Sequence, residues 1–259
     1  MKEIFLAIKV DNDPVAFRIF GLNIYWYAII IITGMIVGAY FAKKEFDKRG
    51  FDPDFIYDLL TIMLPMAIIG ARAWYVIFEW DYYSQNPIQI LNFRAGGLAI
   101  HGGIIASVIT GYFFSKKKNV SLIELTDVIF PSVAIGQAIG RWGNFMNMEA
   151  YGYPTDLPWA MEINGVGVHP TFLYESIGDL IIFLILLNRR KKINIRGEIT
   201  SLYLILYGVL RFFVEGLRTD SLYVFGLRTA QLTSIVFVIL GVIMLVQSHK
   251  GKYSVKDKK

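Results

Sequence analysis

The composition of the chain excludes an ordinary soluble enzyme. Of its 259 residues, 55% are hydrophobic and 15% are aromatic, and the mean hydropathy is +0.48, which is too apolar for a domain with a hydrated surface. The formal net charge is +5, but the basic residues cluster beside apolar segments, so we expect membrane lipids around the chain and no nucleic acid. Cysteine is absent, which excludes disulfides and thiolate ligands.

Seven apolar segments are long enough to cross a bilayer, because about 20 apolar residues in a helix span its hydrocarbon core. They cover residues 23–42, 59–78, 95–114, 122–140, 171–188, 199–217 and 229–247. The connections are short, and the longest is a small external segment at 141–170. The sequence therefore predicts an all-α polytopic membrane protein of about seven transmembrane helices, with residues 1–259 forming a single integral membrane domain.

The distribution of basic residues predicts the orientation of these spans. Seventeen of the 26 Lys and Arg residues follow the first, third, fifth and seventh spans, whereas seven lie on the opposite side and two lie inside spans. Since cytoplasmic loops carry the excess of positive charge, we expect the N-terminus outside and the C-terminus in the cytoplasm. On this topology the costly polar groups, among them Arg72, His101 and Arg211, converge on the outer leaflet.

The run GQAIGRWGNFMNME at 136–149 is the most informative part of the chain. An arginine near hydrocarbon costs a few kcal/mol on insertion scales, so Arg141 needs a partner, an aqueous cavity or an anionic ligand. Asn144, Asn147 and Glu149 follow it, and three glycines in the run would let backbone amides approach a ligand. The alternative is an interfacial cap whose charges reach the headgroups.

A second polar group follows one face of the sixth span. Tyr207, Arg211, Glu215 and Arg218 recur at spacings of three or four residues, so they share a helical face. Arg211 and Glu215 could form a purely structural ion pair, but Arg218 adds a second cation to the face. One guanidinium group can bind two phosphate oxygens at once, and it stays charged. These residues predict an outer-leaflet enzyme that acts on an anionic phospholipid.

The remaining polar candidates have more than one interpretation. His101 lies between two glycine pairs in the third span, where it is either a satisfied interior histidine or a base. We expect no metal site, because the other histidines, His169 and His249, have no metal-binding spacing. A proton or ion path is a further possibility for four acidic residues, although helix-packing contacts are favoured for them: Glu124, Asp127, Glu175 and Asp179.

Four motifs together resemble those of one family. They are HGG at 101–103, GRWGNFMNME at 140–149, HPTFLYE at 169–175 and YGVLRFFVEGLRTD at 207–220. Over about residues 20–247 the chain strongly resembles the prolipoprotein diacylglyceryl transferases. The resemblance implies transfer of the diacylglyceryl group of phosphatidylglycerol to the lipobox cysteine of a preprolipoprotein signal peptide, which gives a thioether and releases glycerol phosphate. It also implies a bacterial inner-membrane enzyme whose active site faces the outer leaflet and needs no cofactor.

The resemblance also assigns roles by motif position. It implies that the catalytic residues are His101, Glu149, Arg141 and Arg211, with the two arginines meeting the charge on the departing phosphate. The base that activates the thiol is His101 or Glu149. The implied substrate-binding residues are Arg141, Tyr27, Asn144, Asn147, His169, Tyr207, Glu215 and Arg218. Two residues, Arg94 and Ala95, depart from the family pattern.

A transporter for an anionic solute or lipid is the alternative function, because transporters also combine paired arginines with broken helices. A transporter needs access to its site from both faces of the membrane. The predicted clustering of polar groups at one leaflet favours the enzyme.

Overall fold

The computed structural model describes residues 8–9, 13–93, 96–192, 195–224 and 226–253, so Arg94 and Ala95 lie outside the described residues. The helices in these ranges are α1 (Trp26–Lys48), α2 (Phe55–Phe78), α3 (Trp80–Gln85), α4 (Ile100–Lys117), α5 (Leu122–Met146), α6 (Thr171–Lys192), α7 (Glu198–Leu217) and α8 (Thr229–His249), with a short 3₁₀ helix at Pro87–Leu91. The strands are β1 (Ile8–Lys9), β2 (Val15–Ile19), β3 (Leu22–Tyr25), β4 (Met161–Ile163), β5 (Val166–Val168), β6 (Tyr223–Val224) and β7 (Leu227–Arg228).

The prediction of an all-α polytopic membrane protein is confirmed. Among the described helices, α1, α2, α5, α6, α7 and α8 are long and apolar enough to cross a membrane. The predicted span at 95–114 corresponds to α4, which is not one of these six. It begins at Ile100, because Gly96 and Gly97 adopt φ angles of +84° and +74° that are incompatible with a right-handed helix.

The chain packs as two compact units. The smaller unit comprises residues 43–125, and the larger one comprises residues 1–42 and 126–259. In the larger unit the hydrophobic core lies where α5, α6 and α7 meet, and it includes Ala134, Phe183, Leu186 and Tyr203. Each long apolar run is helical because a chain in hydrocarbon must satisfy its backbone hydrogen bonds within the segment.

Short strands cover one end of the larger unit. Strands β4 and β5 form an antiparallel hairpin, with β1 added to β4 in parallel. Met161 and Val168 of this hairpin are buried against Phe172 at the start of α6. Two further hairpins, β2–β3 and β6–β7, precede α1 and α8. The predicted external segment at 141–170 is therefore partly structured, and its first six residues belong to α5.

A buried carboxylate orders the start of α7. Asp127 on α5 accepts hydrogen bonds from the backbone N–H of Gly197 at 2.7 Å and of Thr200 at 2.8 Å. These are N–H groups that the first turn of a helix leaves without partners, so the carboxylate acts as a cap supplied by a neighbouring helix. Asp127, one of the four acidic residues considered for a proton path, therefore has a packing role.

Arg72 has a structural role in the smaller unit. Its guanidinium donates hydrogen bonds to four backbone carbonyls in the segment between α3 and α4, those of Gln89, Ile90, Gly96 and Gly97. These contacts use the donors of Arg72 to fix the connection between α3 and α4. These hydrogen bonds also explain how the charged Arg72 is tolerated within an apolar helix.

Gly102 allows a close approach of α2 and α4. A Cβ on Gly102 would lie 2.2 Å from the backbone oxygen of Gly70. We expect Gly102→Ala to lower the free energy of unfolding by roughly 1–3 kcal/mol, because the helices must separate. The matched control is Gly111→Ala on the same helix, whose Cβ would lie 3.6 Å from Met63. Thermal unfolding in detergent compares them, and equal stability of both variants would contradict the close approach.

Candidate active site

Two arginines from different helices converge on one buried carboxylate. Arg141 on α5 donates from Nη2 to Oε1 of Glu175 at 2.6 Å. Arg211 on α7 donates from Nη1 to both oxygens of the same carboxylate at 3.0 Å. Only 2% of the Glu175 side chain is exposed, against 20% for Arg141 and 16% for Arg211. We call Arg141 and Arg211 the arginine pair. Glu175 on α6 holds its two guanidinium groups together.

The cluster continues along α7. Nη2 of Arg211 donates to Oε2 of Glu215 at 2.7 Å, and Nε of Arg218 lies 4.0 Å from the same oxygen. The ion pair between Arg211 and Glu215 that the helical spacing predicts is therefore present. Because Arg211 also binds Glu175, its guanidinium is shared between that local pair and the interhelical cluster.

Asp220 anchors the far end of this row of charges. Arg218 donates to the two oxygens of Asp220 at 2.9 and 2.7 Å. Partial burial by itself would raise the pKa of Asp220, but the hydrogen bonds and charge of Arg218 hold that pKa below its usual value. Both partners are therefore ionised at neutral pH, and Arg218 is held in place just beyond the end of α7.

The signature run ends in a second polar cluster. Glu149 accepts hydrogen bonds through Oε1 from the side-chain amides of Asn144 at 2.9 Å and Asn147 at 3.4 Å. The chain turns back immediately after α5, with φ angles of +53° at Met148 and +59° at Ala150. This turn brings the carboxylate against one amide in the last turn of α5 and one just after it, so three predicted site residues lie together.

Two predicted tyrosines pack beside these clusters. Tyr27 on α1 lies against α5 at Gly143, where a Cβ would be 2.8 Å from the ring. This glycine therefore makes room for the tyrosine. Tyr207 on α7 stacks on Tyr203 with ring centroids 5.6 Å apart. Its side chain also lies close to the guanidinium of Arg141. Both tyrosines belong to the same unit as the arginine pair.

The two predicted histidines have different surroundings. His169, which follows β5, lies 3.2 Å through Nδ1 from the hydroxyl of Tyr174, and Trp159 donates to that hydroxyl at 2.9 Å. These contacts fix the start of α6, so they point to a positioning role for His169. His101 lies on the first turn of α4 in the smaller unit, with an exposed side chain. Its role as a base stays a prediction.

Glu175 is the central residue that the sequence analysis did not include among its site residues. It was grouped with acidic residues for which helix-packing contacts were favoured. The signal was present, because Glu175 ends the HPTFLYE motif, and a carboxylate in an apolar span needs a cationic partner. Sequence spacing could not identify that partner, since the two arginines lie on different helices. Arg228 was not among the predicted site residues either. It donates to the backbone oxygen of Glu215 and to the hydroxyl of Tyr153.

Comparison with known proteins gives a consistent picture. A sequence model of a family described as prolipoprotein diacylglyceryl transferase matches residues 14–247. A Finegoldia magna protein named phosphatidylglycerol–prolipoprotein diacylglyceryl transferase is 58% identical over 241 residues, which cover 92% of this chain and 96% of that protein. A protein of the same name from Clostridioides difficile is 47% identical over 246 residues, covering 95% and 99%. One from Bacillus cereus is 48% identical over 257 residues, covering 95% of each.

Proposed function

Because the chain belongs to the prolipoprotein diacylglyceryl transferase family, we propose that it transfers the diacylglyceryl group of phosphatidylglycerol to the lipobox cysteine of a preprolipoprotein. The observation that carries this proposal is the arginine pair, two guanidinium groups from different helices gathered at one carboxylate. This reaction is the first step of lipoprotein maturation.

The arginine pair supports a phosphate-binding role. Arg141 and Arg211 already hold a planar anionic group, the carboxylate of Glu175, with N–O distances of 2.6 to 3.0 Å. A phosphate presents oxygens of the same charge and hydrogen-bonding character. Nε of Arg141 is buried and makes no hydrogen bond with any described residue. An unsatisfied buried donor is costly, so this N–H is available to a phosphate oxygen.

The bond changes define what the site must do. The sulfur of the lipobox cysteine attacks the glycerol carbon that bears the phosphate ester, the C–O bond breaks, and its electron pair leaves with glycerol phosphate. Negative charge grows on the departing phosphate, where preorganised guanidinium donors lower the barrier. A single well-placed donor of this kind contributes roughly 3–4 kcal/mol. Arg141 and Arg211 have this role, and Glu175 keeps them oriented.

The thiol proton needs an acceptor, because a free thiol with a pKa of about 8.5 is only a few per cent thiolate at neutral pH. His101 and Glu149 are the two candidates. Glu149 is exposed and is held by Asn144 and Asn147. If one of them is the base, the transfer rate of the wild type should fall at low pH as that group becomes protonated. Replacing the residue by Gln should remove this fall.

The proposed function is tested by incubating the purified protein with phosphatidylglycerol and a lipobox peptide, followed by mass measurement. We expect a diacylglyceryl adduct on sulfur and an equal amount of glycerol phosphate. The matched control is a peptide with the lipobox cysteine replaced by serine, which should give no product, because an alkoxide is far harder to generate than a thiolate. Modification of the serine peptide at a comparable rate would contradict the nucleophile. Solute flux without any adduct would favour the transporter.

We also propose that the site faces the outer leaflet of the bacterial inner membrane. The support is the predicted orientation together with the positions of the polar residues: Arg141, Arg211 and Arg218 all lie near the helix ends that this topology puts outside. A reporter fused after Lys259 is therefore expected to be cytoplasmic, and a tag at 150–168 to be external. Activity of a periplasm-specific phosphatase at the C-terminus would reverse the orientation.

A further inference from the structure

Asp179 is a buried acid for which the proposed mechanism has no role. It lies one helical turn beyond Glu175 on α6, so the two carboxylates share a face of the helix. Its side chain is fully buried, at 0% exposure, and neither carboxylate oxygen accepts a hydrogen bond from any described residue. The neighbouring acids differ, because Glu175 and Glu215 each bind a guanidinium group.

Charged and titratable groups face Asp179 from three helices. They are Glu175 on its own helix, Arg141 on α5, and Tyr203, Tyr207 and Arg211 on α7. Both arginines form ion pairs with glutamates, and the hydroxyl of Tyr203 donates to Gln137. The positive charge near Asp179 is thus already engaged by other carboxylates.

An ionised Asp179 would be unfavourable in this setting. A buried carboxylate without hydrogen bonds loses its hydration, and here Arg141 and Arg211 attract it only through their charge, without donating to it. Two carboxylates that share a site also repel each other, so one of them tends to keep its proton. Glu175 has two guanidinium partners and Asp179 has none, so Asp179 is the one that keeps the proton.

We propose that Asp179 is held as the uncharged acid and that its proton makes the arginine pair receptive to an anionic phosphate. The inference rests on the proposed function, since it concerns the same phosphate. With Asp179 uncharged, the three positive charges of Arg141, Arg211 and Arg218 balance the three negative charges of Glu175, Glu215 and Asp220. Ionisation of Asp179 would leave the cluster with a net negative charge and would repel the lipid phosphate. Asp179 acts through the arginines and is therefore a positioning residue.

The proposal predicts how the KM for phosphatidylglycerol changes with pH. Over the pH range in which the protein stays folded, the KM of the wild-type protein is expected to rise with increasing pH, by up to about tenfold per pH unit once Asp179 ionises, because the anion binds the protonated site. In Asp179→Asn, which cannot ionise, the KM should stay constant over this range. In Asp179→Glu, which keeps a titratable acid, the rise should return. The separate effect of pH on the thiol appears in kcat when the lipid is saturating.

Asp127→Asn is the matched control. Asp127 is also a buried acid, but it accepts hydrogen bonds from Gly197 and Thr200, so its variant should retain the pH dependence of the wild-type KM. Infrared difference spectroscopy gives a readout that does not depend on catalysis. The carbonyl band of a protonated carboxylic acid should be present in the wild type at neutral pH and absent from Asp179→Asn. If that variant does not accumulate, Asp179→Ser, which adds no volume, replaces it.

The outcomes separate the two proposals. A KM in Asp179→Asn that rises with pH as in the wild type, or an infrared spectrum that lacks an acid band assignable to Asp179, would overturn the inference and leave the transferase reaction intact. A wild-type protein that makes no thioether at any pH would instead refute the proposed function. The infrared band would then still decide whether Asp179 carries a proton.

Discussion

Arg141→Lys is expected to lower the rate of diacylglyceryl transfer by about a hundredfold or more while the protein still accumulates in the membrane. Lysine keeps the positive charge but cannot present two N–H groups in a plane. It could still pair with Glu175, which now binds Nη2 of Arg141 at 2.6 Å. Its three N–H donors diverge from a single nitrogen, so they do not reproduce the planar fork with which Arg141 can span Glu175 and the departing phosphate. The loss should appear in kcat, because the charge on that phosphate grows in the transition state.

The matched control for this prediction is Arg189→Lys. Arg189 also donates to a buried glutamate, Glu198, at 2.9 Å, but 45% of its side chain is exposed and it lies near the other end of α6. Its replacement should change the transfer rate by less than about twofold, since an exposed ion pair contributes little. Equal losses in the two variants would mean that Arg141 acts through general stability and not on the phosphate.

The second large effect is expected for Glu175→Gln. This change removes the negative charge that Arg141 and Arg211 share in a site where only 2% of the Glu175 side chain is exposed. Breaking a buried pair by removing one partner leaves an uncompensated charge, so we expect the free energy of unfolding to fall by about 3–5 kcal/mol. Thermal or denaturant unfolding in a zwitterionic lipid or detergent measures this loss.

Anionic lipid should restore part of the stability of Glu175→Gln, because a phosphate can take the place of the missing carboxylate and a ligand stabilises the folded state that binds it. The matched control is Glu198→Gln, which removes a buried glutamate whose partner Arg189 reaches solvent. That variant should lose less stability and should show no specific recovery with phosphatidylglycerol. Recovery of both variants to the same extent would point to a general effect of the lipid.

The fold class could be predicted from the sequence because apolar length is a strong local signal. The helix limits could not, since they depend on contacts and backbone geometry. α4 begins at Ile100 because Gly96 and Gly97 adopt positive φ angles. α5 continues past the apolar run to Met146, where Gly143 lets Tyr27 pack closely. Neither feature appears in a hydropathy scan.

The candidate site was partly predictable for a similar reason. Arg211 and Glu215 are four residues apart on one helix, so sequence spacing alone indicates their ion pair. The link between Arg141, Glu175 and Arg211 joins three helices and depends on how these pack. Arg72 was expected only to be one of the costly polar groups that converge on the outer leaflet, and the reason for its charge could not be predicted. Its guanidinium binds backbone carbonyls between α3 and α4. The pattern of side chains in the sequence does not predict where such carbonyls lie.

The central claim is that the arginine pair holds the phosphate of the lipid substrate. Native mass spectrometry of the purified protein tests it most directly, by measuring how much phosphatidylglycerol stays bound to the wild type, to the double variant Arg141→Gln/Arg211→Gln, and to the control Arg189→Gln. The account predicts that the wild type and the control retain the lipid to the same extent, and that the double variant binds it at least about tenfold more weakly. Equal retention by all three proteins would contradict the claim.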